Sequence, residues 1–181
     1  MTSLTLQEEQ IEERSSRLQD LKQAQAVIQK IAEETQVNIT DNIESIVTLA
    51  LESVFGDELS FKCVFASKRG KTECSFAVVD QQGNSTNPMT AHGGGVLDVV
   101  NIGLRLAFWS MEKKRPLVIL DEPFKFLSRE LLPNAADMLR VMSERLKLQI
   151  LMVTHIPELI NAAERVFSVK KKKGVSLVSQ L

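Results

Sequence analysis

Polar residues dominate from Leu4 to Thr35, and apolar ones recur among them with a period near seven. Leu4, Ile11, Leu18 and Ala32 occupy one heptad position and Leu21 and Ile28 another, while Gln7, Arg14 and Gln25 interrupt the seam. The stretch has no Gly or Pro and is rich in Glu, Gln, Lys and Arg, which predicts a helix. It reads either as a single solvated helix or as one strand of an antiparallel coiled coil whose partner lies outside this chain. Asp41 followed by Glu44 predicts a capping box that opens a second helix, "DNIESIVTLALESVF", with a broad apolar face and a stop at Gly56. "LSFKCVFA" and "TECSFAVVD" then alternate on either side of "SKRGK". That pattern predicts a β-hairpin with Cys63 and Cys74 in the core, on the face of Phe61, Phe65 and Phe76. "QQGNSTNP" reads as loop.

Beyond that loop the pattern changes. "AHGGGVLDVVNIGLRLAFW" runs from a glycine cluster into a mostly apolar helix, on which Asp98, Asn101 and Arg105 form a polar stripe. "PLVILDEP" contains a short apolar run, Leu117 to Leu120, with the length of a strand covered on both faces. "FKFLSRELLPNAADMLRVMSERL" predicts a loop and a helix, and "LQILMVTH" a second buried strand ending in Thr154 and His155. "IPELINAAERV" predicts a further helix, and "VFSVKKKKGVSLV" a closing hairpin with Lys170 to Lys173 at its bend. The fold class is therefore α/β.

Composition narrows the function. At 181 residues and 44% apolar content the chain suits one domain, or one domain plus an arm. The arm is expected at 1–36 and the lobe at 37–181. A balance of 22 basic against 23 acidic residues leaves no global field to draw nucleic acid, so any DNA contact must be local. Lys170 to Lys173 are the candidates, against the plainer reading of a solvated turn. Two cysteines suit neither a disulfide scaffold nor a metal site, and no targeting or membrane segment is evident, so a cytoplasmic setting is expected.

Strands covered by helices deliver functional groups from their carboxyl ends, which is where Asp121 and Glu122 stand. Adjacent acids on an extended chain point to opposite sides and can serve a metal-bound water and a nucleophile respectively. The same pair also reads as an acidic N-cap after a core strand. Gly93, Gly94 and Gly95 before a helix expose N–H groups at a positive dipole end, which suits an anion, or they form a hinge. His155 at a strand end reads as a polar cap or as a ligand contact.

The order of these signals, glycine turn, Asp-Glu strand, His strand, resembles the carboxyl-terminal half of ABC-type ATPases of the SMC and SbcC branch, most closely phage-type SbcC-like proteins. The resemblance runs from about Thr35 to the end. It implies half of an ATPase head, with parallel strands, packed helices and a β-hairpin, and with the opening helix as the returning arm of a coiled coil. "HGGG" would be the signature motif, "VILDEP" Walker B, "FKFLS" the D-loop and "VTH" the H-loop. Asp121 would then orient a Mg2+-bound water, Glu122 act as general base, His155 sense the γ-phosphate of ATP, and Gly93 to Gly95 act in trans. The family's signature usually begins with serine; counting back from Arg105 puts Gly93 in that slot, and counting from the first Gly-Gly pair puts His92 there. Ser128 stands where the D-loop usually ends in Asp.

No stretch matches G-x-x-x-x-G-K-[ST], so the sequence lacks the loop and lysine that hold β- and γ-phosphates. The resemblance thus implies a lobe completed by a Walker A lobe on a removed segment or a separate polypeptide. It implies as partners a second head bound through ATP, a nuclease subunit of SbcD type and double-stranded DNA in end repair or recombination, in a bacterial or phage-infected cell. The rival reading is a non-catalytic module that docks on a complete SMC-like ATPase and regulates it. A transporter nucleotide-binding subunit fits less well, because its signature follows a helical subdomain and not a helix and a hairpin.

Overall fold

The computed structural model describes residues 3–68, 71–90, 93–112 and 115–181. It opens with one continuous helix, α1 (Ser3–Phe55). The expected break at Asp41 does not occur. No Gly or Pro stands between Ser3 and Phe55, and the Thr40 hydroxyl folds back onto the Gln36 carbonyl at 2.8 Å within the helix. Helix α1 ends at Gly56, whose φ of +77° and N–H bond to the Glu52 carbonyl close the last turn.

The chain divides into two compact units, residues 1–41 and 42–181. In the first, Ile11, Leu18, Leu21 and Ile28 are all exposed along the helix. In the second, Ile43, Val47, Ala50, Leu51 and Val54 are buried and form one wall of the core.

Strands β1 (Leu59–Lys68) and β2 (Lys71–Asp80) pair antiparallel, with Cys63 opposite Phe76 and Phe65 opposite Cys74. Part of the expected loop forms a short strand, β3 (Ser85–Thr86), on β2. The outer edge of β1 is closed by α1. Phe61 N–H donates to Thr48 Oγ1 at 2.9 Å, and Cys63 N–H donates to Glu44 Oε1 at 2.8 Å. Lys62 Nζ bonds the other oxygen of Glu44 at 2.7 Å. Glu44, expected to cap a helix, instead satisfies a strand edge that would otherwise invite pairing with another chain.

Helix α2 (Gly94–Met111) buries Val99, Val100, Ile102, Gly103, Leu106 and Ala107. It crosses α1 where Gly103 faces Val47; a β-carbon there would stand 3.1 Å from the Val47 Cα. Strand β4 (Leu117–Asp121), helix α3 (Leu132–Leu146) and strand β5 (Gln149–Val153) form a β–α–β unit with β4 and β5 parallel. A short helix, α4 (Pro157–Asn161), and an antiparallel hairpin of β6 (Phe167–Lys172) and β7 (Val175–Gln180) complete the chain.

The β4–β5 pair departs from expectation in one respect. Val118, Leu120, Ile150 and Met152 face the core, but the other face is open. There Leu117 is 43%, Ile119 60%, Leu151 51% and Val153 56% exposed. The parallel register sets Ile119 beside Leu151, so these side chains form one apolar strip. Such sequences belong to strands covered on both sides, and each bare side chain retains on the order of 1 kcal/mol to gain from cover.

Candidate nucleotide site

The ends of β4 and β5 bring Glu122 and His155 together. Glu122 N–H donates to the Val153 carbonyl at 2.8 Å, which carries the strand pairing one residue past β4. Its φ of +45° then turns the chain sharply, so that the carboxylate leaves the line of the strand. His155 is delivered by a tight turn at the end of β5, in which Ile156 N–H donates to Thr154 Oγ1 at 3.1 Å. His155 Nδ1 lies 2.8 Å from Glu122 Oε2, an ion pair when the imidazole is protonated. The imidazole is largely solvent-facing and the carboxylate half-buried. An open cleft of about 580 Å3 adjoins them, lined by Lys125, Arg129 and Glu158 among others. Asp121, the last residue of β4, is exposed beside it.

Beyond Glu122, Leu127 N–H donates to the Phe124 carbonyl at 3.2 Å in a compact turn. Phe124 is a second non-glycine residue with positive φ, +63°, and its ring is buried. Ser128 stands exposed before a 3-10 turn, Arg129–Leu131, making no side-chain cap bond there.

The glycine cluster lies against that same turn. Gly93 is the N-cap of α2 and Gly94 its first residue. A β-carbon on Gly94 would fall 2.7 Å from the Phe126 Cβ, and one on Gly95 3.0 Å from Leu127 Cδ1. Something must therefore shift to admit a side chain at Gly94, while Gly95 sits tightly against the backbone of Phe126 and Leu127. Gly93 differs, with open space around the position of a β-carbon. His92 lies outside the described residues. The expected polar stripe is divided: Arg105 Nε reaches Asn101 Oδ1 at 3.4 Å in solvent, whereas Asp98, half-buried, accepts the Phe126 N–H at 2.8 Å at the surface of the neighbouring loop. Sequence reading missed that role for Asp98, because its partner is 28 residues away.

The cysteines take no part. Burial, with neighbouring Cys74 and Glu44 adding to it, pushes the Cys63 thiol up to about 12, so it stays protonated and inert as a nucleophile. Cys74 is exposed and not a core residue as expected.

Among the described residues no cluster of three or more His, Cys, Asp or Glu side chains is arranged to hold a metal. Magnesium does not need one, since it keeps several waters and takes one or two carboxylates together with substrate phosphates. Asp121 fits that requirement. Among the described residues no helix is long and apolar enough to cross a membrane.

No protein-family model matches the chain. Over 114 residues it is 32% identical to the DNA double-strand break repair Rad50 ATPase of Archaeoglobus fulgidus, a match covering 62% of this chain and 12% of that protein. Among solved structures it is similar to the Smc head domain with a coiled coil and joint from Pyrococcus yayanosii, with a TM-score of 0.70 and 15% identity. That likeness covers 98% of this chain and 33% of the other. A second structure, from work on ATP-driven dimerization and DNA-stimulated activation of SMC ATPases, aligns with a TM-score of 0.65 and 15% identity over 78% of this chain and 84% of that one. The chain thus spans about an eighth of the Rad50 relative and a third of the longer Smc head.

Proposed function

From a chain with the fold of the carboxyl-terminal half of an SMC- and Rad50-like ABC-type ATPase head, we infer that it supplies one half of a composite ATP site in DNA processing. A Walker A lobe supplies the other half. The observation that carries this reading is the contact between Glu122 and His155 at the carboxyl ends of a parallel strand pair whose outer face is bare.

In this reading "VILDEP" is Walker B. Glu122 accepts a proton from the attacking water as general base. His155, 2.8 Å from it, holds the carboxylate's orientation and contacts the γ-phosphate. Asp121 would hold a hydrated magnesium ion, which when bound would neutralise charge on the triphosphate. Gly93 to Gly95 and Ser128 serve as the signature and D-loop, acting on nucleotide held by a second head. The arm at 1–36 is the returning strand of an antiparallel coiled coil, and its outgoing partner helix would cover Ile11, Leu18, Leu21 and Ile28. The name of the Rad50 relative supports a role in DNA double-strand break repair; an SbcD-type nuclease subunit is the partner proposed for that role. Lys170 to Lys172 at the end of β6 and Lys173 in the turn that follows, all exposed, are the proposed local contact with DNA phosphates.

The apolar strip of β4 and β5 is the proposed seat of the Walker A lobe. Ile119→Lys combined with Leu151→Lys should weaken co-purification with a Walker A lobe that binds the wild-type chain by at least about tenfold, since two charges would be desolvated at the interface. The isolated double variant should still fold, because both side chains already face solvent. Undiminished binding would show that the lobe sits elsewhere.

A further inference from the structure

The Asp98 carboxylate has no place in the half-site as described, yet it makes a specific contact across 28 residues of sequence. Asp98 is not an acid that merely favours a helix start, because the first turn of α2 carries no acidic residue and Asp98 lies beyond it. Its Oδ2 accepts the Phe126 N–H at 2.8 Å, a bond to an ionised acceptor and so stronger than a neutral one.

The loop it grips is under conformational strain. Glu122 and Phe124 both hold positive φ, which L side chains rarely adopt, and such backbone persists only where its surroundings hold it. Three kinds of restraint are visible. The Glu122 N–H is tied to Val153, and the side chains of Phe124 and Leu127 are buried in the core. On the third side, Phe126 has a ring that is 68% exposed and supplies no such anchor. There the loop is held by Asp98 and by the close approach of Gly94 and Gly95. One segment therefore begins at the acid Glu122, ends at Ser128, and is fastened in between to the glycine turn of α2.

We propose that Asp98 is a positioning residue: it locks the Glu122–Ser128 loop to the glycine turn, so that both meet a partner head as one surface and docking there sets the orientation of Glu122. The effect on hydrolysis rests on the composite-site reading above; the tie itself does not.

The test compares Asp98→Ala with Asp98→Asn, whose amide oxygen can still accept the Phe126 N–H. In this chain alone, amide hydrogen exchange by NMR should be at least about tenfold faster at Phe126 in Asp98→Ala and near wild type in Asp98→Asn, with the remaining spectrum dispersed in both. In the head completed by its Walker A lobe, Asp98→Ala should lower kcat by about tenfold or more while KM for ATP moves less than about threefold, and Asp98→Asn should recover most of the loss. Unchanged exchange in Asp98→Ala would overturn the tie. Wild-type kcat in Asp98→Ala, a rise in KM alone, or an Asp98→Asn protein as slow as Asp98→Ala would overturn the positioning role. A completed wild-type head that is inert, with Phe126 still loosened only by Asp98→Ala, would leave the tie standing and refute the ATPase reading instead.

Discussion

In a head completed by its Walker A lobe, Glu122→Gln is expected to reduce ATP turnover by about 10²–10⁴-fold while leaving nucleotide and magnesium bound. The amide keeps the reach of the side chain and an oxygen to face His155, now 2.8 Å from the carboxylate, but it cannot take a proton from water. The loss therefore falls on the chemical step and not on binding. Asp121→Asn should behave differently, weakening nucleotide retention, because its proposed partner is the hydrated metal. If Gly93 to Gly95 complete the site in trans, Glu122→Gln should accumulate as an ATP-dependent dimer, visible by light scattering. Full activity in Glu122→Gln would remove Glu122 from the role of base, and a protein that stays monomeric at saturating ATP would remove Gly93 to Gly95 from their role in trans.

The second large effect separates two neighbouring glycines. Gly94→Val should destabilise even the isolated chain, by about 1–3 kcal/mol, because the added side chain is forced against the neighbouring turn. Its new Cβ would lie 2.7 Å from the Phe126 Cβ and 3.1 Å from Cγ, atoms close to a backbone that Asp98 holds in place. The turn would have to lift from α2, and ATP-dependent dimerisation should be lost with it. Gly93→Ser is the contrasting change. Gly93 has ordinary extended backbone, φ −65° and ψ 161°, open space around it, and the N-cap position of α2. A serine there can bond a free N–H of the helix start, worth a few tenths of a kcal/mol over glycine, and it adds a hydroxyl donor at the proposed phosphate face. Dimerisation should be kept or strengthened. Denaturant titration and light scattering read both variants. A Gly94→Val protein as stable as wild type would mean that the close approach to Phe126 does not constrain the turn.

Local pattern carried much of the architecture. The alternation around residues 69–70 produced the β1–β2 hairpin, and the apolar runs ending at Asp121 and Val153 produced the parallel pair. What local pattern could not carry was long-range satisfaction of polar groups. Glu44 looked like a helix cap because Asp41 preceded it by three residues, yet its partners are Lys62 and the Cys63 N–H of a strand edge. Asp98 looked like part of a solvated stripe because its partner comes from another element. Ile119 and Leu151 were read as covered because their composition asks for cover; the strip is bare in this chain, and the proposed Walker A lobe would supply that cover. The acids, the glycines and His155 were picked out in sequence by their order along the chain. The 2.8 Å approach of His155 to Glu122 depends on a turn with positive φ at a glutamate, which no residue preference announces.

Magnesium-dependent ATP turnover, measured first with this chain alone and then with its Walker A lobe added, bears most directly on the claim that the chain holds half a site. Without P-loop N–H groups and lysine the triphosphate gains too little to offset its desolvation, so no turnover is predicted for the chain alone. Turnover should appear on adding the lobe and vanish again in Glu122→Gln. Hydrolysis by the chain alone that Asp121→Ala removes, or a stable two-lobe complex that hydrolyses nothing, would contradict the account.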